Sequence, residues 1–228
     1  MIDVSKIVYP SGEQMMFVIE GMRNPMNSWD RSDSSFENVA YGSILHIGDN
    51  DKDLMKRLRK AGTDHRKFLR MMQVGMRITA PLYWWKEFDT YKVGTVSNSC
   101  STMHKLTTRD LTLEDFSCDQ LIQDINTQVM NMRDHLQNQI NILNEWRKTY
   151  LDAKNSPNSV ESAKKYWYQI IQLLPSSYNQ TRNITLNYEV LLNMYYSRCH
   201  HKLKEWVDFC KIIKEMRYME LFIDDNDW

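Results

Sequence analysis

One stretch constrains this chain more than any other. Leu121, Ile125, Val129, Met132, Leu136, Ile140, Leu143 and Trp146 recur every three or four residues up to Tyr150, which is the period of one helical face. A helix of that length with a single apolar stripe has to bury the stripe, inside a bundle or against another subunit, with a coiled-coil seam as the alternative. The segment Asn155-Ser156-Pro157-Asn158-Ser159 ends it. A second helix is predicted over Val160 to Leu174, stopped by Pro175, and a third from about Tyr188 to Met216.

The N-terminal part mixes periods. Residues 1–20 carry β-branched and aromatic residues around Pro10-Ser11-Gly12, which predicts a hairpin. Residues 21–51 are rich in Asn, Ser, Asp and Gly and read as loop with a short helix. Asn50 or Asp51 is placed to cap a helix through Lys60, with Gly62 as its stop and Leu54, Met55 and Leu58 on one face. Strict alternation at Met72, Val74, Met76 and Ile78 predicts a strand. Ala80-Pro81 then opens a helix packed through Leu82, Trp84, Trp85 and Phe88. The small, polar run from Val93 to Thr108 reads as loop. The expected fold class is therefore α+β, helix-dominated with a small central sheet, as one domain over residues 1–228.

Composition excludes several classes. The 228 residues have zero formal net charge, against the basic excess of a dedicated nucleic-acid binder, so duplex nucleic acid is not an expected partner. The apolar runs Met15 to Ile19 and Ile78 to Trp85 fall well short of the roughly 20 residues that span a bilayer, so no membrane is expected. The first residues show no signal-peptide pattern, and Cys100, Cys118, Cys199 and Cys210 form no CxxC. The expectation is a cytoplasmic protein with reduced thiols.

Three stretches together resemble the flavin-dependent thymidylate synthase family. The first is Gly62, then Phe68, then a strand ending in Ile78-Thr79-Ala80-Pro81-Leu82-Tyr83. The second is Lys86-Glu87-Phe88, Thr90-Tyr91-Lys92-Val93-Gly94-Thr95 and Asn98-Ser99-Cys100-Ser101-Thr102-Met103, where the family has Arg-Gln-Trp and then RHRxxSxNExSxR. The third is Leu174-Pro175 followed by Asn187, Leu191, Asn193, Arg198 and Trp206. The match covers about residues 50 to 215 in order. The departures are equally specific. The RHR triplet is Thr90-Tyr91-Lys92, and its lysine keeps charge without the bidentate fork. Family arginines fall at Met103, Ile171 and Glu189. Each loss removes charge-assisted binding of a nucleotide phosphate.

The resemblance implies conversion of dUMP to dTMP, a methyl transfer in nucleotide biosynthesis. FAD would be the redox carrier in this flavoprotein, with NADPH and methylene-tetrahydrofolate as co-substrates, and the assembly a homotetramer. It assigns Glu87, Ser101 and Arg198 to a pyrimidine nucleotide, and Tyr91, Lys92, Asn98, Asn187 and Asn193 to the cofactor. Plainer readings stand beside these. Arg198 is otherwise a salt-bridged helix-surface arginine, Asn187 a helix cap, Tyr91 a packed ring and Lys92 a solvated cation. Arg23, Lys105 and Arg109 are candidate replacement cations, supplied from a neighbouring subunit. The basic run Lys56-Arg57-Arg59-Lys60 with His65-Arg66-Lys67 suits RNA or a cofactor diphosphate, or is a solvated face. Cys199-His200-His201 does not converge on a metal, because adjacent helical side chains point about 100° apart, and His201 with Glu205 lacks a third ligand. Two alternatives to the dUMP reaction are the same scaffold acting on another pyrimidine nucleotide, and a non-catalytic nucleotide-binding or assembly protein without a flavin site.

Overall fold

A computed structural model describes residues 1–122, 131–156 and 159–224. Strands β1 (Asp3–Val8), β4 (Gln73–Pro81), β6 (Asn179–Asn187) and β5 (Val96–Ser99) form a four-stranded sheet in the order β1-β4-β6-β5. A separate antiparallel hairpin pairs β2 (Ser35–Val39) with β3 (Gly42–His46) in the register Phe36↔Leu45. Helices make up most of the rest, so the fold is α+β and helix-dominated with a small sheet. The chain divides into two compact units, residues 1–3, 79–89 and 98–182, and residues 4–78, 90–97 and 183–228.

The first unit is built on the long helix. Helix α6 (Met132–Lys154) packs along α7 (Val160–Leu173). The stripe read from sequence is its buried face: Leu136, Ile140 and Leu143 join Leu106, Leu111, Phe116 and Ile170 in one core, with Trp146 partly buried against it. Ile125 and Val129 lie outside the described residues, as do Pro157 and Asn158 of the interhelical break. Leu121 precedes the helix, with its N–H on the Cys118 carbonyl at 3.2 Å. Two polar clasps fix α6 to the preceding segment. Asn144 both accepts from Leu111 N–H (2.8 Å) and donates to Leu111 C=O (2.9 Å), and Arg147 donates to Thr107 C=O (3.1 Å).

In the same unit α4 (Leu82–Phe88) follows β4 directly, with Pro81 as its extended N-cap. Trp84, Trp85 and Phe88 are fully buried, as their spacing predicts. Trp85 Nε1–H donates to Gln180 C=O at 2.8 Å, and Arg182 lies 4.2 Å over the Trp85 ring while pairing with Asp89 at 2.8 Å. This sandwich uses the ring's negative face to hold a cation.

The second unit packs α1 (Gly12–Arg23), α2 (Asp49–Lys60), α3 (Phe68–Met71), α8 (Tyr188–Arg198) and α9 (Lys204–Glu215). Met72, Val74, Met76 and Ile78 are buried as the alternation requires. Asp51, fully buried, accepts from Arg23 Nε at 2.6 Å and from the Ser32 and Ser34 hydroxyls at 2.7 Å each, so the charge is paired and its lone pairs are filled.

Five sequence expectations are corrected. Residues 1–20 form a strand and a helix, not a hairpin: the Ser11 hydroxyl accepts from Gln14 N–H and the Gln14 side chain accepts from Ser11 N–H, a reciprocal capping box that starts α1. The stretch 21–51, expected as loop with a short helix, also holds the β2–β3 hairpin. Helix α2 is capped neither by Asn50 nor by Asp51. Gly48 is its N-cap, and the Asp33 carboxylate accepts from Asn50 N–H (2.9 Å) and Asp51 N–H (3.2 Å). A Cβ on Gly48 would sit 2.1 Å from Asp33 Cγ, which is why glycine stands there. The run Val93 to Thr108 contains β5 and the one-turn helix α5 (Thr102–Lys105). Tyr188 to Met216 is two helices. The chain turns after Arg198, where Leu203 N–H is taken by His201 Nδ1 at 3.2 Å, a side-chain acceptor replacing the helical carbonyl. Strand β6 is an addition. Its signal was the period-two burial of Ile184 and Leu186 between exposed Asn183 and Thr185.

Candidate functional site

The predicted residues fall into two groups, one in each unit. In the second unit α8 carries most of them. Asn187 is its N-cap: buried, with Oδ1 accepting from Val190 N–H at 3.1 Å. Its amide nitrogen lies against Gly94, where a Cβ would approach to 2.5 Å and where φ is +74°. Both facts demand glycine. At the other end of α8, Arg198 Nε donates to the Tyr91 hydroxyl at 3.1 Å, and the guanidinium stands 5.1 Å from the Trp206 ring centre and 5.9 Å from that of Tyr91. The two rings are 6.0 Å apart. A planar cation held by two aromatic rings has few rotamers left, so it is a pre-oriented donor. Lys92 is exposed, and so is Asn98 of the first unit.

Glu189 carries the largest departure from the sequence picture. It is buried in the first turn of α8 and accepts from Arg66 Nε at 3.2 Å and from Arg70 Nε. Arg66 also donates to Asn193 Oδ1 at 3.0 Å. The Glu189 contact holds the Arg70 guanidinium firmly protonated, its pKa raised above the usual range. Within the basic run Lys56, Arg57, Lys60, His65 and Lys67 are exposed, as on a solvated face, whereas Arg66 is engaged by Glu189 and Asn193. No local signal reveals this, because the partners are more than 100 residues apart.

In the first unit Ser101 is the N-cap of α5, its hydroxyl accepting from His104 N–H at 3.2 Å. It borders a polar cleft of about 250 Å³, lined also by Lys105, Arg109, Asp115, Tyr178 and the Thr79–Thr181 hydroxyl pair at 2.7 Å. Glu87 sits half-buried in the last turn of α4. Arg109 is gripped by both carboxylate oxygens of Asp115, one at 2.8 Å. Burial pushes the Asp115 carboxyl up, but the Arg109 contact and the Thr112 N–H outweigh it and hold it below the usual 3.8. Burial raises the Tyr178 phenol, with Asp115 adding to the shift. Of the three candidate replacement cations, Arg23 is buried against Asp51 and Arg109 is bound to Asp115, whereas Lys105 is exposed at the cleft. Sequence reasoning did not single out Thr79, Thr181 or Tyr178, which only strand register brings to Ser101.

Cys100 is exposed, and Cys199 and Cys210 are buried. Among the described residues no three His, Cys, Asp or Glu side chains gather as a metal site, and no helix is long and apolar enough to cross a membrane.

A helix-dominated chain with this small sheet has a fold like that of the flavin-dependent thymidylate synthases. Thymidylate synthase X from Helicobacter pylori, solved with FAD and dUMP, superposes over 100% of this chain and 98% of its own at a TM-score of 0.62, with 16% identity. A second structure of that enzyme with FAD and dUMP covers 92% of this chain and 90% of its own (TM-score 0.58, 18% identity). The UMP/dUMP methylase PolB from Streptomyces cacaoi, bound with 5-Br dUMP, covers 94% and 87% (TM-score 0.58, 14% identity). At these identities the likeness is one of fold. No protein-family model matches the chain, and no curated protein matches it by sequence.

Proposed function

We propose that this chain binds a pyrimidine nucleotide of the dUMP or UMP class and serves one-carbon transfer to its C5. The observation that carries the reading is a fold likeness along the whole chain to structures holding dUMP or a dUMP analogue. Arg198 is the group we assign to the pyrimidine, since Tyr91 and Trp206 already fix its plane. Within the first unit, Ser101 is the group we assign to a phosphate, with Lys105 lining the same cleft, and Glu87, which does not line it, to hydrogen bonds from a base or sugar.

In such a reaction a bound flavin supplies the reducing equivalents. The residues here suit only part of FAD. Asparagine amides match a flavin or adenine edge, but the oxygens of Asn187 and Asn193 are engaged by Val190 and Arg66. The diphosphate calls for cations, and Glu189 offsets one of the two charges that Arg66 and Arg70 carry. That donor set offers an FAD diphosphate fewer free charges than two unengaged guanidinium groups would. Glu189 thereby favours a second reading, the same scaffold binding its nucleotide without FAD.

Absorbance of the purified protein, before and after incubation with FAD and re-purification, separates the two. It is paired with thermal shift against dUMP and UMP, because a true ligand stabilises the fold by mass action. Nucleotide stabilisation with a retained flavin band supports the one-carbon enzyme. Stabilisation without the band supports the second reading, and no nucleotide stabilisation overturns both.

A further inference from the structure

The first unit holds another cleft, of about 390 Å³, that the pyrimidine site does not use. Ligand pockets run from about 300 to 1,000 Å³, so the volume suits a small molecule. Its walls come from three elements. Tyr150 and Lys154 stand in the last turns of α6; Ala163, Lys164 and Trp167 lie on α7; His104 comes from α5. The small, buried Ala163 leaves the room between the helices. Trp167 is half-buried and fixed at its edge, its Nε1–H donating to the Met103 carbonyl at 3.3 Å. The Lys154 ammonium lies 5.9 Å from the Tyr150 ring centre. Both lysines are exposed, and no carboxylate is among the lining residues. The nearby Glu161 pairs with Lys165 instead, at 3.6 Å.

Two half-buried aromatic rings and two ammonium groups, with no acid in the lining, define a ligand chemistry. The rings offer stacking area, and the lysines attract negative charge without fixing its geometry. We infer that the cleft between α5, α6 and α7 binds a small planar aromatic ring bearing an anionic group. A purine mononucleotide and an aromatic carboxylate share that chemistry.

Calorimetric titration of the whole chain tests the inference, with GMP and 2-naphthoate as probes and ribose 5-phosphate as the ring-free control. Saturable binding of either probe is expected, about 10-fold tighter than the control because the control lacks the stacking contribution. GMP alone assigns a nucleotide, 2-naphthoate alone an aromatic carboxylate, and both the shared chemistry. Lys154→Gln and Lys164→Gln, both at exposed positions, should each weaken the bound probe about threefold, and Trp167→Leu about 10-fold. The inference is overturned if neither probe saturates, if ribose 5-phosphate binds as well, or if the lysine variants bind like the wild type. Should Trp167→Leu fail to fold, the lysine variants still decide it.

Discussion

Arg66 donates from Nε to the buried Glu189 carboxylate at 3.2 Å, across 123 residues of sequence. With Arg70 on the other oxygen, the carboxylate sits where a ligand's anion would meet two guanidinium groups. Glu189→Gln keeps the shape and removes the charge. Because Glu189 is buried while Arg70 is half exposed, we expect a loss of about 2 kcal/mol, read as a lower urea midpoint. The variant should also bind inorganic diphosphate more tightly than the parent. An unchanged diphosphate affinity would mean that the arginines are held by packing and not by the carboxylate.

Arg198→Ala should weaken dUMP or UMP binding about 10-fold, the value of one charge-assisted hydrogen bond. Tyr91→Phe removes only the hydroxyl that accepts from Arg198 and should cost less, because Trp206 still holds the guanidinium. Calorimetric affinities equal to the wild type for both variants would remove the clamp from the site.

Ser11→Ala should destabilise the chain by about 1 kcal/mol, since it deletes half of the capping box that begins α1. Denaturant unfolding measures it. A neutral result would mean that the Gln14 half of the box alone holds the helix start.

Burial pushes the Cys210 thiol up from 9.0 to about 12. The folded chain therefore holds the thiol neutral where the unfolded chain ionises it. Its contribution is full below about pH 9 and is lost as pH rises from 9 towards about 12. Urea midpoints should fall over that interval, and less so in Cys210→Ala. In the native chain at pH 8, a thiol reagent should react with exposed Cys100 and spare Cys210.

Legibility of the sequence followed the range of the interaction. Periodicity is local, so the stripe through Leu136, Ile140 and Leu143, the alternation from Met72 to Ile78 and the Trp84-Trp85-Phe88 cluster were all visible and are all buried. The Ser11-Gln14 box was equally local but was outweighed by the turn signal of Pro10-Ser11-Gly12. The break after Arg198 carries neither proline nor glycine, and it depends on a hydrogen bond from Leu203 to the His201 ring.

By itself the sequence determined the helix-dominated class, the long helix and its buried face, and a spacing from Leu174 to Trp206 like that of the flavin-dependent thymidylate synthases. Those features are set by which residues repeat along the chain. Only the tertiary structure decided how the charges are used. Arg23 is bound by Asp51, Arg109 by Asp115, and Arg66 and Arg70 by Glu189. A charge carries no label in sequence for what will neutralise it, because a Coulombic partner is chosen by distance in space, and chain folding sets that distance.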